Sequence, residues 1–173
     1  MSDILIFRGK AATGKTYITD ILSNKLKIAV IRKDDIYNSL STYGLEQYTI
    51  NMMSYDILAK IIQTNIDIKS NLIIDIGLYH NLYFKQFLSN INFKNSNLYQ
   101  FVCICSDSQE WNKRIEKRLT NPLPNQTFKT VEEANKYYDN LNTEALENEI
   151  ILDSVDDISS IMEKIYNVLK IDL

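Results

Sequence analysis

Short apolar runs alternate with longer amphipathic stretches along the chain. Residues 4–7 (ILIF), 28–31 (IAVI), 71–76 (NLIIDI), 98–105 (LYQFVCIC) and 149–152 (EIIL) are nearly continuous apolar segments of strand length. Such segments read as strands buried on both faces, as in the middle of a parallel sheet. Between them, apolar residues recur every three or four positions, the helical period. That spacing predicts helices over residues 15–26, over about 46–69 (Ile50, Met53, Ile57 and Ile61, with Leu58 and Ile62), over 81–88, and around Trp111, Ile115 and Leu119. A last helix carries Ile158, Ile161, Ile165, Val168 and Leu169 on one face.

Local signals bound several of these helices. Asp107 or Ser108 caps the Trp111 helix, and Pro122 and Pro124, the only prolines, stop it. Thr130 followed by Glu133 has the capping-box spacing and opens one more helix. Residues 36–60 begin as a polar segment with Tyr37, Tyr43, Tyr48 and Tyr55, to which the pattern assigns no regular element before the long helix. Five strands separated by helices require right-handed parallel crossovers. The expected fold is therefore α/β, a three-layer sandwich around a five-stranded parallel sheet; the sequence does not set the strand order, for which 2-3-1-4-5 is a guess. No repeat or linker divides the chain, so a single domain over residues 1–173 is expected.

The junction of the first strand and first helix carries the strongest chemical signal. Gly9, Gly14, Lys15 and Thr16 fill the pattern G-x-x-x-x-G-K-[ST], flanked by strand and helix as a phosphate loop requires. Inward backbone N–H groups form an anion nest, and the helix N-terminus adds its unpaired amides and dipole. Glycine is scarce, four of 173 residues, so finding two in this loop is informative. Gly9, Ala11, Ala12, Thr13, Gly14, Lys15, Thr16 and Tyr17 are the expected nucleotide contacts. Lys15 can reach the β- and γ-phosphates, and the Thr16 hydroxyl can ligate Mg²⁺. The expected cofactors are ATP and Mg²⁺.

Composition narrows the remaining choices. A net charge of −3 gives no global field toward nucleic acid or an anionic membrane. The chain enters its first strand at once, with no room for a secretory leader, and no apolar run nears the roughly 20 residues of a bilayer span. A cytoplasmic location is expected. Cys103 and Cys105, the only cysteines, lie in a strand-like run and read as buried thiols. His80 is the sole histidine, so histidine-based metal triads and Ser-His-Asp chemistry are disfavoured, and it reads as a helix cap.

Three further features bear on where a phosphoryl group would go. Asp34 and Asp35 follow the second strand, where α/β sheets bind ligands, and one carboxylate there can accept a hydroxyl proton. Asp75 ends the third strand and can position Mg²⁺ or touch the acceptor. The 19 basic residues include only four arginines: Arg8, Arg32, Arg114 and Arg118. Arg114 and Arg118, at i and i+4 beside the proline-stopped loop, suit a lid that clamps phosphoryl oxygens.

At these residues the chain resembles the P-loop kinase group, the ATP-binding kinases often grouped as AAA-domain proteins. That group includes polynucleotide 5′-hydroxyl kinases, chloramphenicol phosphotransferase and zeta-toxin-like kinases. The matching stretches are GKAATGKT, RKDDIY, LIID and WNKRIEKRLTNP, with ILDSV resembling the strand that ends beside the adenine. The resemblance implies a nucleoside-kinase-like fold with a short lid at about 119–131 and an acceptor segment at about 36–60. It makes Lys15 and Thr16 the phosphate and Mg²⁺ ligands, Asp34 the general base, and Arg114 with Arg118 the lid arginines. The implied reaction moves the γ-phosphoryl group of ATP to a hydroxyl of a small molecule such as an antibiotic, nucleoside or sugar nucleotide. Asp35, Tyr37 and Asp75 join Asp34 as expected acceptor contacts. Polynucleotide kinases carry an arginine shortly after the paired acids; here Tyr37 stands there, and the next twelve residues hold no Lys or Arg. That disfavours a nucleic-acid 5′ end. An NTP-hydrolysing switch is disfavoured by Ile76 after Asp75 and by the lack of an N-K-x-D signature, and a nucleotide-sensing module by the intact Lys15, Thr16 and Asp34. Monomer and homodimer remain equally open.

Overall fold

A computed structural model describes residues 1–171, so the last two positions of the expected domain lie outside the described residues. The chain order is β1 (Ser2–Arg8), α1 (Lys15–Leu26), β2 (Val30–Arg32), α2 (Lys33–Ser41), α3 (Gln47–Asp67), β3 (Leu72–Ile76), α4 (Asn81–Ser89), β4 (Ser96–Ile104), α5 (Ser108–Leu119), α6 (Val131–Asp139), β5 (Glu149–Asp153) and α7 (Ile158–Leu169). All strand pairs are parallel, as the sequence predicts, and the sheet order β2-β3-β1-β4-β5 agrees with the guess.

Side-chain alternation divides the core between the two sheet faces. Leu5, Phe7, Ile73, Phe101 and Leu152 pack against Ile18 and Leu22 of α1 and Ile161 and Ile165 of α7. Ile4, Ile6, Leu72, Ile74 and Ile76 face Leu58, Ile62 and Ile66 of α3 and Phe84 and Phe87 of α4. Phe7 and Phe101 stack at 4.6 Å across β1 and β4, the centre of the first layer. A smaller cluster of Cys105, Trp111, Ile115, Phe128 and Ala134 ties α5, α6 and the connection between them to the sheet edge. Both cysteines are buried and free.

Two elements differ from the sequence reading. The charged segment after β2 is a helix, α2, that opens at Lys33 with Asp34 and Asp35 in its first turn. Acids there are stabilised by the helix dipole, but too few apolar residues follow for a period to be visible. In α3 the buried stripe is Ile50, Ser54, Leu58, Ile62 and Ile66, while Met53 is exposed. Ser54 hid that stripe from the apolar pattern; its hydroxyl is satisfied by donating to the Ile50 carbonyl at 2.6 Å. Among the described residues, no helix is long and apolar enough to cross a membrane.

Candidate functional site: a loop and cleft at the carboxyl edge of the sheet

The chain leaves β1 through Gly9, whose φ is +152°. A Cβ on Gly9 would come within 2.3 Å of the Cys103 carbonyl oxygen, so only glycine lets the loop lie this close to β4. Gly14, at φ +80°, caps α1 from the left-handed region. Lys15 closes the loop, its Nζ donating to the carbonyls of Gly9 (3.0 Å) and Lys10 (2.9 Å). Thr13 Oγ1 donates to the same Lys10 oxygen at 2.9 Å. The loop is thus held open around a flexible ammonium that has only neutral carbonyls for partners.

Thr16 begins the next turn and donates its hydroxyl to Asp75 Oδ2 at 2.7 Å. Asp75 ends β3, in register with Phe7 of β1 and Arg32 of β2, and is 7% exposed. Burial pushes its carboxyl up; Lys15 and the Thr16 hydrogen bond pull it down, and Asp34 pushes it up again. Hydroxyl and carboxylate are hard oxygen donors, the chemistry Mg²⁺ takes, and a cation between them would offset the cost of the buried charge. Among the described residues, no three His, Cys, Asp or Glu side chains gather as a metal site. A metal here would rest on Thr16, Asp75 and a nucleotide's own oxygens.

Loop and Asp75 form one end of a cleft of about 1030 Å³. Asp34 lines the same cleft from the first turn of α2. Asp35, about 100° further around the helix, does not line it. Its side chain is 70% exposed and stands 3.9 Å from Arg32. Of the paired acids, the structure brings Asp34 to the loop and leaves Asp35 at the surface. Tyr37, one turn on from Asp34, is buried in the cleft wall, and Tyr17 lines the loop end with most of its ring exposed.

The four arginines separate cleanly. Arg118 lines the cleft and donates from Nε to Gln126 Oε1 at 3.2 Å, within the connection between α5 and α6. Arg114 does not reach the cleft: it pairs with Glu110 at 2.8 Å and donates to Ser154 Oγ at 2.7 Å, holding the turn after β5 beside the loop. Sharing a helix face did not give the two a shared target, because Arg114 sits one turn farther from the connection between α5 and α6. Arg8 is fully buried, paired with Glu149 and donating to Tyr79 O (2.5 Å) and Asn81 Oδ1 (2.8 Å); it ties β1 to β5 and the start of α4. Arg32 pairs with Asp20 on the surface side of α1.

Several residues of the cleft escaped the sequence reading. Lys33 is 5% exposed, donates to Asn51 Oδ1 at 2.7 Å, and lies over the rings of Tyr37 (4.4 Å) and Tyr55 (5.0 Å). Burial pushes its ammonium down, and Asp34 partly restores it. Tyr138 of α6 accepts a hydrogen bond from the Ala11 N–H at 2.9 Å, while Trp111 Nε1 donates to the Ala11 carbonyl at 2.8 Å. The tyrosine pair 137–138 on a capping-box helix was the available signal for the latter. His80 caps α4, its Nδ1 accepting from the Leu82 N–H at 3.1 Å, and its ring also lines the cleft.

No protein-family model and no curated protein sequence matches the chain. Solved structures do. A tunicamycin resistance protein of Deinococcus radiodurans superposes with a TM-score of 0.73 at 16% identity, covering 100% of this chain and 98% of that one. A sugar kinase of Janibacter sp. HTCC2649 gives 0.70 at 14% identity, with 99% and 96% covered. A gluconokinase of Sinorhizobium meliloti 1021 gives 0.68 at 9% identity, with 97% and 91% covered. At these identities the likeness is one of fold: this five-stranded parallel sheet and its helices are those of solved structures of which two of these three are described as kinases.

Proposed function

We propose that the chain is a P-loop kinase that transfers the γ-phosphoryl group of ATP to a hydroxyl group of a small molecule. One observation carries the reading: the glycine loop with Lys15, the Thr16–Asp75 pair and the Asp34 carboxylate all open into a single cleft. A phosphate site alone would suit a switch or a sensor. A carboxylate facing that site across a cavity large enough for a second molecule suits transfer. Structures of the same fold bear the names sugar kinase and gluconokinase, which fits a hydroxylated acceptor.

The chemistry follows from what each group can do. The loop amides from Ala12 to Thr16 and the α1 N-terminus receive the phosphates. Lys15 exchanges its two carbonyl partners for phosphoryl oxygens, a charged bond gained for two neutral ones. Thr16 and Asp75 would hold Mg²⁺, which neutralises developing phosphate charge. Asp34 aims the acceptor hydroxyl and takes its proton as the new O–P bond forms and the bond to the β-phosphate oxygen breaks, leaving ADP. The transition state is loose, so Asp34 needs correct placement more than raised basicity. Arg118 supplies a guanidinium from the lid side. Arg114 holds the 153–157 turn against the loop, a positioning role.

The acceptor end is walled by tyrosines and side-chain amides, and its buried cation, Lys33, is already engaged by Asn51 and two rings. That lining suits an uncharged, ring-bearing, hydroxylated acceptor better than a 5′ end of nucleic acid, which needs cations tracking a backbone. The test is transfer of label from γ-labelled ATP to a panel of sugars, nucleosides, hydroxylated antibiotics and 5′-hydroxyl oligonucleotides. Labelled product from a small acceptor, absent with Lys15→Ala, is the expected result. Label only as inorganic phosphate in every reaction would overturn the kinase reading in favour of hydrolysis.

A further inference from the structure

The hydroxyl of Tyr138 has a place in the cleft that the transfer scheme above does not use. Its oxygen accepts the Ala11 N–H at 2.9 Å, so the phenol is pinned to the phosphate loop itself. The ring is wedged edge-on among Tyr79 (5.9 Å), Trp111 (5.8 Å), Phe128 (6.1 Å) and Tyr137 (4.9 Å), which fixes its direction. Trp111 Nε1 holds the Ala11 carbonyl at 2.8 Å, so both polar groups of that residue are anchored by α5 and α6.

A tyrosine hydroxyl has one proton to donate and lone pairs to accept with. Here the accepting side is used by Ala11, and among the described residues the donor proton meets no acceptor. Tyr138 lines the cleft that also holds Lys15 and Asp34, and the charges of Arg118 and Asp34 both act on it. Burial pushes the phenol up to about 12, so it keeps its proton at any working pH. An N–H-anchored oxygen with an unspent proton, in the cleft that Lys15 and Asp34 also line, can donate to an anion bound at the loop.

We propose that Tyr138 donates its hydroxyl proton in a hydrogen bond to the terminal phosphoryl group of the bound nucleotide, making it a contact that distinguishes the triphosphate from the diphosphate. The proposal rests on the phosphate-site reading, not on which acceptor is used. Ala11 N–H polarises the phenol and sharpens it as a donor, as chained hydrogen bonds do. The bond to α6 also joins the far side of the lid to the presence of the γ-phosphate.

The alternative for the same geometry is a place-holder: Tyr138 occupies the Ala11 amide until a phosphate displaces it. The two make opposite predictions. Calorimetric titration of wild type and Tyr138→Phe with a β,γ-imido ATP analogue and with ADP separates them. Loss of a hydrogen bond to a charged group weakens the triphosphate analogue on the order of tenfold and leaves ADP unchanged. Equal loss for both nucleotides, no change, or tighter triphosphate binding would overturn the assignment. Phenylalanine keeps the ring packing; if that variant fails to fold, Tyr138→Leu also lacks the hydroxyl and is read the same way. Transfer assays run alongside keep the two ideas apart. A selective loss without any transfer by wild type keeps Tyr138 and removes the kinase; transfer with no selective loss does the reverse.

Discussion

Eight consecutive residues, Gly9 to Thr16, supply the amides, ammonium and hydroxyl at one end of the cleft. The other end draws Asp34 from α2, Asn51 and Tyr55 from α3 and His80 from the turn before α4. On the proposed reading, the first end recognises phosphate mainly with backbone, which any sequence carries once glycine permits the path. The second would recognise its acceptor by side chains from two crossovers of the sheet, β2 to β3 for Asp34, Asn51 and Tyr55 and β3 to β4 for His80. A backbone site tolerates little variation in a short string; a side-chain site can be rebuilt for a new acceptor without disturbing the loop.

The largest effect should come from the local end. Lys15→Ala removes the ammonium that replaces two carbonyl partners with phosphate, and kcat/KM should fall by about 10³ or more in a steady-state assay, to order of magnitude. An acceptor-end substitution that cost as much in ATP binding would erase the distinction drawn between the ends.

Legibility followed the same division. The loop was readable because its chemistry is contiguous; the strand order was a guess, which the sheet bears out. Asp34 was readable only as one of a pair; the choice between it and Asp35 needed the α2 helix, which the sparse apolar pattern concealed. Lys33 was not readable, and Tyr138 had only the 137–138 tyrosine pair as a signal. Lys33 looks like any charged residue until Asn51, 18 positions on, and two tyrosine rings close over it. Tyr138 meets Ala11 across 127 residues of chain. The arginines erred the other way: rarity and helix spacing paired Arg114 with Arg118 as lid arginines, yet Arg114 serves Glu110 and Ser154.

Asp75 joins the two ends, and its substitution should separate stability from activity. Its carboxyl is raised mainly by burial, so the folded state binds the proton more tightly than the unfolded chain does. Stability from that protonation is fully present below the unfolded value near 4 and is lost as pH rises through the folded value. Asp75→Asn should therefore melt higher than wild type at pH 7, with the difference shrinking as pH falls toward about 4. The same variant should lose about tenfold or more in turnover, with a raised Mg²⁺ requirement in a metal titration. A variant that melts lower at pH 7 would mean the buried charge is more than repaid by Lys15 and Thr16.

The smallest effect belongs to Lys33. Lys33→Met removes the ammonium that orders Asn51 and the Tyr37 and Tyr55 rings. The KM for the acceptor should rise roughly threefold to tenfold, the scale of one hydrogen bond, with the KM for ATP unchanged. A change in the ATP constant instead would assign Lys33 to the nucleotide end.

The central claim is that Asp34 serves transfer and not nucleotide binding. Asp34→Asn tests it by paired measurement of ATP affinity and phosphoryl transfer to an accepted substrate. The expected result is an ATP dissociation constant close to that of wild type, with transfer reduced by about 10² to 10⁴, the range of general-base catalysis. Full transfer by the Asp34→Asn protein would contradict the account.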